Sequence, residues 1–391
     1  MSQRVQNIKP SPTLAITARA KALKAAGEDI IGLGAGEPDF DTPAHIKQAA
    51  IAAIDAGDTK YTAVDGTPEL KAAVARKFTR DNQLEYGMDQ ILVSCGGKHS
   101  FFNLAQALLD PGDEVIIPAP YWVSYPDMVT LAEGVPVIVA AGIESGFKIS
   151  PEQLEAAITP KTRMVVINSP SNPTGVSYSH AELKALGAVL AAHENIIVVS
   201  DDIYEHIRLT DHEPFANIVT LCPALVERAV VLNGVSKAYS MTGWRIGYAG
   251  GPAWLIGAMK KIQSQSTSNP ASISQAAALA ALDGDQGCIG EMVAAFRERH
   301  VYVVDRLNAM PGIQCLPSQG AFYSFPDCQQ AIATLGLADD LAFAEHLISE
   351  AGVALIPGSA FGAPGYVRLS FATSMDNLRK ALDRIEAVVS A

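Results

Sequence analysis

The fold is decided by residues 233–248, which read N-G-V-S-K-A-Y-S-M-T-G-W-R-I-G-Y. The preceding residues 229–232, A-V-V-L, form a short apolar run that is typical of a buried parallel strand. Lys237 therefore comes at a buried strand end, where lysine is almost never found without a partner. Because burial disfavours the ammonium form, we expect its nitrogen to be neutral or bound in an imine.

Two further side chains in this stretch suit an anion. Ser236 directly precedes Lys237, and Arg245 comes eight residues after the lysine, between two glycines. Together they suit an aldehyde cofactor that carries a phosphate. Lys237 would bind the aldehyde as a Schiff base, and Arg245 with the Ser236 hydroxyl would bind the phosphate. The alternative is a surface lysine in a loop, with Arg245 paired to a carboxylate, since a lone S-K pair is common.

The composition is that of a large acidic protein with two domains. Its 391 residues are 49% hydrophobic, and the net charge is −12. No long basic run is present, which argues against a nucleic-acid partner. The five cysteines and the histidines show no metal-ligand spacing, so we expect no metal, and free thiols in the cytoplasm. Residues 1–10 are polar and no apolar run reaches about 18 residues, so neither a secretory signal nor a membrane span is expected.

From residue 90 onward, short apolar runs alternate with helical segments, a pattern that predicts an α/β sheet. In the C-terminal part, a strand is predicted to start at Gly320 and another to cover residues 352–357. A strand predicted at residues 91–94 is followed by Gly96 and Gly97, where a helix begins. The unpaired backbone N–H groups of such a turn suit an anion. With Ser236 and Arg245, this turn would complete a phosphate-binding cup. A flexible helix entry is the alternative.

Two loops after predicted strands carry side chains that suit a planar ring. Trp122 follows the strand at 114–117 and would stack on a heterocycle, although an aromatic residue there is more often core. Asn172 lies in S-P-S-N-P-T-G, at residues 169–175. Two prolines and a glycine fix this loop, so the amide could donate to a phenolate oxygen. An Asx turn is the alternative for Asn172.

The strand predicted at 196–200 ends in D-D-I-Y. A carboxylate here would keep a pyridine nitrogen protonated, and the protonated ring is an electron sink for a carbanion. Asp201 and Asp202 both stand at this strand end, and Tyr204 could reach the ring oxygen beside Asn172. Alternatively, Asp201 or Asp202 caps the next helix.

The two ends of the chain supply candidates for substrate binding. Residues 34–40, G-A-G-E-P-D-F, form a loop whose two glycines let the backbone approach another group closely, although an ordinary tight turn is the simpler explanation. Arg368 stands in the middle of a predicted buried strand, V-R-L-S, at 367–370. A buried charge there needs a carboxylate partner. That partner is either an internal acidic residue or a substrate α-carboxylate held by both nitrogens of the guanidinium.

These motifs, in this order, resemble the class I pyridoxal-phosphate aminotransferases of the bacterial aspartate type, in the aspartate/prephenate subgroup. The resemblance covers essentially the whole chain, from K-P-S-x-T at 9–13 and G-E-P-D-F-D-T-P at 36–43 to S-K-x-x-x-x-x-G-W-R-x-G and the final R-L-S. It implies fold-type I, with a large, mostly parallel sheet of seven-stranded type and a smaller α+β domain. The implied units are an arm with part of the small domain (1–45), the cofactor-binding domain (46–285) and the small C-terminal domain (286–391).

The resemblance also implies ping-pong transamination with pyridoxal 5′-phosphate in a homodimer with shared sites. Lys237, once freed, would act as the base, and its ordinary pKa of about 10.4 would have to be lowered. Burial and Arg245 are the expected causes. Tyr61, in T-K-Y, would reach the cofactor phosphate of the neighbouring subunit, although packing alone is an alternative. Gly36 would contact substrate, and relatives carry an aromatic residue at the place of Trp122.

The family pattern D-x-x-Y is matched by Asp201 and Tyr204. The resemblance therefore implies that Asp201, and not Asp202, pairs with the ring nitrogen.

Substrate choice depends on Lys98. Classical aspartate enzymes bring an arginine from the second subunit in the segment matching 264–272, but this chain has no arginine between Gly251 and Phe296. In the subgroup, a lysine at the place of Lys98 accompanies dicarboxylic substrates. We therefore expect amino transfer from aspartate to 2-oxoglutarate, and Lys98 with Thr13 would also suit conversion of prephenate to arogenate. Lys98 could instead touch phosphate or point to solvent.

Other functions share most of these residues. A broad alanine or aromatic aminotransferase, or a C–S lyase, would carry the same constellation. The effector domain of a transcription regulator is a different class, and the segment before Gly36 is too short for a helix-turn-helix unit.

Overall fold

A computed structural model describes residues 1–8 and 12–391, and for residues 12–14 only the backbone. The α-helices are α1 (Gln3–Gln6), α2 (Pro12–Ala25), α3 (Ala44–Asp55), α4 (Pro68–Asn82), α5 (Gly97–Leu108), α6 (Ser124–Leu131), α7 (Pro151–Ala157), α8 (His180–Ala191), α9 (Ile218–Leu221), α10 (Ala253–Ser264), α11 (Ser272–Asp283), α12 (Gly287–Ala309), α13 (Gln329–Thr334), α14 (Asp340–His346) and α15 (Met375–Val389). The strands are β1 (Ile31–Gly32), β2 (Ile91–Ser94), β3 (Glu114–Ala119), β4 (Val135–Ala140), β5 (Thr162–Asn168), β6 (Ile197–Asp201), β7 (Ala229–Gly234), β8 (Gly247–Gly250), β9 (Tyr323–Ser324), β10 (Val353–Ala354), β11 (Ile356–Pro357) and β12 (Val367–Ser370).

Seven strands form one large sheet in the order β2-β8-β7-β6-β5-β3-β4. Strand β8 runs antiparallel to both of its neighbours, and the other pairs are parallel. The carboxyl ends of β2, β7, β6, β5 and β3 therefore meet at one edge of the sheet, the edge where ligands bind in open α/β sheets. The predicted α/β fold with a mostly parallel seven-stranded sheet is confirmed.

Helices cover both faces of this sheet. In β5, Val165 and Ile167 belong to a hydrophobic cluster that includes α8 and α11, whereas Met164 and Val166 belong to one that includes α5 and α10. Alternate residues of a strand point to opposite faces, so a strand covered on both sides must be apolar at every position. This is why the central strands appear in the sequence as continuous apolar runs.

The small sheets bring the two ends of the chain together. Strand β1 pairs with β10, and a three-stranded antiparallel sheet has the order β11-β12-β9. Ile31 and Leu33 share a hydrophobic cluster with residues of α12 and α15. The N-terminal segment therefore packs on the C-terminal part of the chain, and the domain boundaries at residues 45 and 285 stay a prediction.

The structure differs from the sequence prediction in two C-terminal strands. The single strand expected at 352–357 is two short ones, because β10 pairs with β1 while β11 pairs with β12. The strand expected from Gly320 begins only at Tyr323. Gly320 lies so close to Pro170 that a Cβ there would be 2.4 Å from its ring, and Ala321 has a φ of 58°. The chain turns at these residues and cannot extend a strand.

In the described part of the chain, no helix is long and apolar enough to cross a membrane.

Candidate active site

A cavity of about 230 Å³ opens at the carboxyl edge of the large sheet. The predicted residues that line it from the large sheet and its loops are Gly97, Lys98, Trp122, Asn172, Asp201, Tyr204, Ser236, Lys237 and Arg245. Gly36 and Arg368 line it from the two ends of the chain. Gly36 and Arg368, which are 332 positions apart in sequence, thus line the same cavity. The fold brings the separately predicted residues together at one site.

Lys237 lies just beyond β7, and its amine is enclosed. Its Nζ donates a hydrogen bond of 2.5 Å to the backbone oxygen of Gly36. Burial lowers the pKa of Lys237 to about 8; Arg368 and Arg245 also lower it, while Glu37 and Asp201 oppose them. Arg368 is a cause that sequence reasoning did not identify. An amine with this pKa is partly neutral at physiological pH, as a base or a nucleophile must be.

Asp201 is the acid of the D-D pair that lines the cavity. The Tyr125 hydroxyl donates a short hydrogen bond to its Oδ2. Burial raises the pKa of Asp201, while Tyr125 and, more weakly, Lys237 act to lower it. Asp202 is used elsewhere, since its carboxylate accepts hydrogen bonds from Ser200 (2.6 Å) and Asn217 (2.9 Å).

Two asparagines connect neighbouring strand ends. The Asn168 amide, at the end of β5, donates to the backbone oxygen of Asp201 (2.8 Å), and its Oδ1 accepts from the Asn172 backbone N–H (2.9 Å). The Asn172 Oδ1 accepts from Arg368 Nη1 at 2.8 Å. The donor that the Asn172 side chain can still offer a ligand is therefore its NH₂ group.

The Gly-Gly pair forms the turn at which α5 begins. Gly96 has a φ of +88°, and a Cβ there would lie 2.2 Å from Arg245 Nη2. A Cβ on Gly247 would lie 2.2 Å from the nitrogen of Gly97. Because these positions carry no side chain, the Arg245 guanidinium and the N-terminus of α5 can lie side by side. A helix N-terminus with an adjacent guanidinium is suited to a phosphate.

Arg245 itself has neutral partners. Its Nη1 donates to the Thr242 oxygen (2.8 Å) and its Nη2 to the Cys95 oxygen (3.4 Å). Among the described residues no carboxylate forms an ion pair with it. The guanidinium and the Ser236 hydroxyl face the same cavity, so this donor set fits the phosphate of a cofactor.

Arg368 is buried in the middle of β12, with 3% of its surface exposed. Its Nη1 donates to Asn172 and its Nη2 to the Gly34 oxygen (2.7 Å), and its guanidinium lies 4.5 Å from the Tyr323 ring centroid. Its Nε is buried without a hydrogen-bond partner, and within residues 1–8 and 12–391 no acid forms an ion pair with it. Burial lowers the pKa of Arg368. An unpaired buried guanidinium is costly, so a ligand carboxylate fits here better than an internal acid.

Lys98 lies over the Trp122 ring, with Nζ 5.2 Å from the ring centroid. Burial lowers the pKa of Lys98, and Arg245 lowers it further, while Asp127 acts in the opposite direction. The amine therefore lies against the Trp122 ring, although Lys98 as a residue is exposed. The Trp122 ring meets Tyr125 edge-on, with centroids 5.1 Å apart, which fixes it at one wall of the cavity.

Three predicted residues are not among those that line this cavity, namely Gly96, Tyr61 and Thr13. Gly96 lies at the turn beside Arg245. Tyr61 is 92% exposed and does not line the cavity of its own chain. Such exposure is compatible with a role towards a neighbouring subunit, which stays a prediction. Thr13 belongs to α2, but its side chain lies outside the described residues.

Sequence reasoning missed three polar residues of the cavity, namely Tyr125, Asn168 and Tyr323. Asn168 could have been found, because it ends β5 beside Asp201 in the parallel register. Tyr125 and Tyr323 carry no comparable signal, since a tyrosine near a strand or helix end is usually core.

Replacement of Lys237 by methionine is expected to stabilise the cofactor-free protein by about 3 kcal/mol at pH 7. The pKa of Lys237 is about 8 in the fold and about 10.4 when unfolded. Between about pH 8 and about pH 10.4 the lysine holds its proton in the unfolded chain but not in the folded one. The loss of folding stability caused by Lys237 in wild type is therefore complete below the pKa of the folded state, and it disappears as pH rises through the pKa of the unfolded state. The difference in free energy of unfolding between variant and wild type, measured with urea, should therefore decrease by about 1 kcal/mol from pH 7 to pH 9.

The matched control for this measurement is Lys161→Met, at an exposed lysine, which should show no such pH dependence. The lowered pKa would be contradicted if the difference in free energy of unfolding between Lys237→Met and wild type increased with pH. It would also be contradicted if Lys237→Met were less stable than wild type.

Known proteins are similar to this chain over its whole length. A family model described as aminotransferase class I and II matches residues 28–385. An aspartate/prephenate aminotransferase of Nitrosomonas europaea is 62% identical over 100% of both chains. The crystal structure of an aspartate aminotransferase from Rhizobium meliloti is 50% identical, with a TM-score of 0.95 over 100% of this chain and 98% of the other. An aspartate aminotransferase from Thermus thermophilus, solved with maleate, is 45% identical, with a TM-score of 0.93 over 99% of both.

Proposed function

The chain belongs to the class I and II aminotransferase family, and we propose that it transfers the amino group of L-aspartate to 2-oxoglutarate, giving oxaloacetate and L-glutamate. One observation carries this proposal. The amine of Lys237 and the buried guanidinium of Arg368, which has no acidic partner among the residues described, face the same cavity. The first suits amino-group chemistry and the second suits the carboxylate of an amino acid.

We propose pyridoxal 5′-phosphate as the cofactor. When bound, it supplies an aldehyde for the amino group and a ring that accepts the electron pair left by the α-proton. The backbone at Gly97, the Ser236 hydroxyl and Arg245 would hold its phosphate. Asp201 would pair with the ring nitrogen, and its burial among Tyr125 and Asn168 supports this role.

The remaining groups orient the reaction. Tyr204 and the Asn172 amide would donate to the ring oxygen, and Trp122 would lie against the ring. Arg368 would hold the α-carboxylate of the substrate, which places the α C–H near Lys237. The neutral amine of Lys237 would then take that proton and pass it to the aldehyde carbon of the cofactor, and hydrolysis would release the keto acid. Gly36, whose oxygen accepts from this amine, would keep it at the cavity wall between these steps.

We further propose a homodimer in which Tyr61 binds the cofactor phosphate of the partner. The exposure of the Tyr61 side chain supports the proposal, because it leaves the hydroxyl free to reach a neighbouring subunit. We also place the protein in the cytoplasm, since all five cysteines are free thiols in the structure.

Dicarboxylic substrates are proposed on the basis of Lys98. Its amine lines the cavity on the side of Trp122, where it could pair with a second carboxylate. A Thermus relative was solved with maleate, which is a dicarboxylate, and a relative with 62% identity is named for aspartate and prephenate. Prephenate, with arogenate as product, is therefore a second candidate amino acceptor.

Replacement of Lys98 by alanine is expected to lower kcat/KM for aspartate by about 10- to 100-fold, as loss of one charge-assisted hydrogen bond would. The value for alanine, which has no second carboxylate, should change much less. Initial rates with both donors measure the ratio, and Lys261→Ala, at an exposed lysine, is the control. Equal losses for aspartate and alanine would end the assignment of Lys98 to the distal carboxylate.

The proposed function is tested by following the visible absorbance of protein loaded with pyridoxal 5′-phosphate. Aspartate should convert the cofactor to its amine form, and 2-oxoglutarate or prephenate should restore the original spectrum. A loaded protein whose spectrum does not respond to aspartate would contradict the proposal, and a response to alanine or aromatic donors alone would favour the broader specificity.

A further inference from the structure

The hydroxyl groups of Tyr204 and Tyr323 meet in the wall of the cavity. Their oxygens are 2.9 Å apart, and the two side chains are 3% and 0% exposed. The inference that follows rests on the proposed function, which gives Tyr204 the ring oxygen of the cofactor. We infer that Tyr323 is a positioning residue, whose hydroxyl donates to Tyr204 and thereby directs the Tyr204 hydrogen into the cavity.

The direction of this hydrogen bond follows from counting donors. Each phenol has one hydrogen to donate and two lone pairs to accept with. If Tyr204 donated to Tyr323, it would present only lone pairs to a negatively charged ring oxygen and would repel it. If Tyr323 donates, the Tyr204 hydrogen stays free for that oxygen. In the described chain Tyr204 is the one hydrogen-bond partner of the Tyr323 hydroxyl, so donation to Tyr204 also satisfies this buried group.

The ring of Tyr323 has a separate contact, with Arg368. The Arg368 guanidinium lies 4.5 Å from the ring centroid, because Tyr323 in β9 pairs with Ser370 in β12, two residues beyond the arginine. The hydroxyl is also close to the loop at Gly36, since a Cβ there would lie 3.2 Å from it. Phenylalanine at position 323 would therefore keep the ring under Arg368 and remove the hydroxyl alone.

The charged groups around this pair come from four elements. They are Arg368 on β12, Asp201 at the end of β6, Lys237 after β7 and Glu37 in the N-terminal loop. None of these groups changes in Tyr323→Phe. A shift in the titration of the bound cofactor in this variant is therefore caused by the hydroxyl pair.

The experiment uses wild type, Tyr204→Phe, Tyr323→Phe and the double variant, each loaded with pyridoxal 5′-phosphate. The pKa of the bound chromophore is read from its absorbance across neutral and alkaline pH. A hydrogen bond to the ring oxygen stabilises its negative charge, so losing that bond raises the pKa. We expect a rise of about one unit in Tyr204→Phe and about half a unit in Tyr323→Phe. In the Tyr204→Phe background, Tyr323→Phe should add no further shift.

Steady-state kinetics supply a second readout. In Tyr323→Phe, kcat should fall while KM for aspartate stays near the wild-type value, because the ring still supports Arg368. The matched control is Tyr86→Phe, which removes a buried hydroxyl with no hydrogen-bond partner in the described chain and away from the cavity. It should leave the titration unchanged.

Two results would overturn this inference. One is a Tyr323→Phe protein that titrates like wild type, and the other is a shift that adds fully to that of Tyr204→Phe. Failure of the proposed function looks different, since wild-type protein would then take up no cofactor or would not react with aspartate.

Discussion

Replacement of Lys237 by alanine is expected to lower kcat for amino transfer from aspartate by at least about 10⁴-fold, the upper range for one acid–base group. The reason is the loss of a buried amine with a pKa near 8 at the cavity wall. The phosphate donors and Asp201 remain, so the variant should still bind pyridoxal 5′-phosphate. Stopped-flow and steady-state rates with aspartate and 2-oxoglutarate measure the loss.

The control for this variant is Lys161→Ala, which removes an exposed lysine. It should retain wild-type rates, and Lys237→Ala should unfold at no lower a temperature than wild type, since the buried amine is itself a cost to folding. A well-folded Lys237→Ala protein that keeps more than about a hundredth of the wild-type kcat would contradict the role of the amine.

Replacement of Arg368 by lysine is expected to lower kcat/KM for aspartate by about 10²- to 10⁴-fold, because two charge-assisted hydrogen bonds to the substrate carboxylate are lost or weakened. Lysine keeps the charge but cannot make two parallel hydrogen bonds from one planar group. Uptake of pyridoxal 5′-phosphate should be unchanged, since Arg368 faces the substrate side of the cavity.

Ethylamine, which is alanine without its carboxylate, gives the decisive comparison. Wild type and Arg368→Lys should react with ethylamine at similar slow rates, while their rates with alanine differ widely. A loss that is equal for the two amines would mean that Arg368 supports the fold rather than the α-carboxylate. Arg368→Met, which removes the charge altogether, should show the same pattern with a larger loss for alanine.

The fold was predictable because the central strands are covered on both faces. Strand β7 and its neighbours must be apolar throughout, so their ends stand out where polar residues begin. Asp201, Lys237 and Asn172 each follow such an end, and parallel strands bring those ends to one edge. The D-x-x-Y pattern of the resembled family, and not the strand pattern, separated Asp201 from Asp202, and Asp201 is the acid that lines the cavity.

Contacts between distant segments were not predictable. The hydrogen bond from Tyr125 to Asp201 joins residues 76 positions apart, and that between Tyr204 and Tyr323 joins residues 119 positions apart. Both depend on how the small antiparallel sheet and the helix after β3 sit against the large sheet, and no periodicity encodes this. The division of residues 353–357 into β10 and β11 also depends on contacts between distant segments, because β10 pairs with β1 and β11 pairs with β12.

The central claim is that Lys237 carries the cofactor covalently. The most direct measurement treats protein loaded with pyridoxal 5′-phosphate with borohydride and locates the label by peptide mass spectrometry. The proposed site predicts one labelled peptide, containing Lys237, and no label at Lys98, whose amine lines the same cavity. A label on another lysine, or a colourless protein with no labelled peptide, would contradict it.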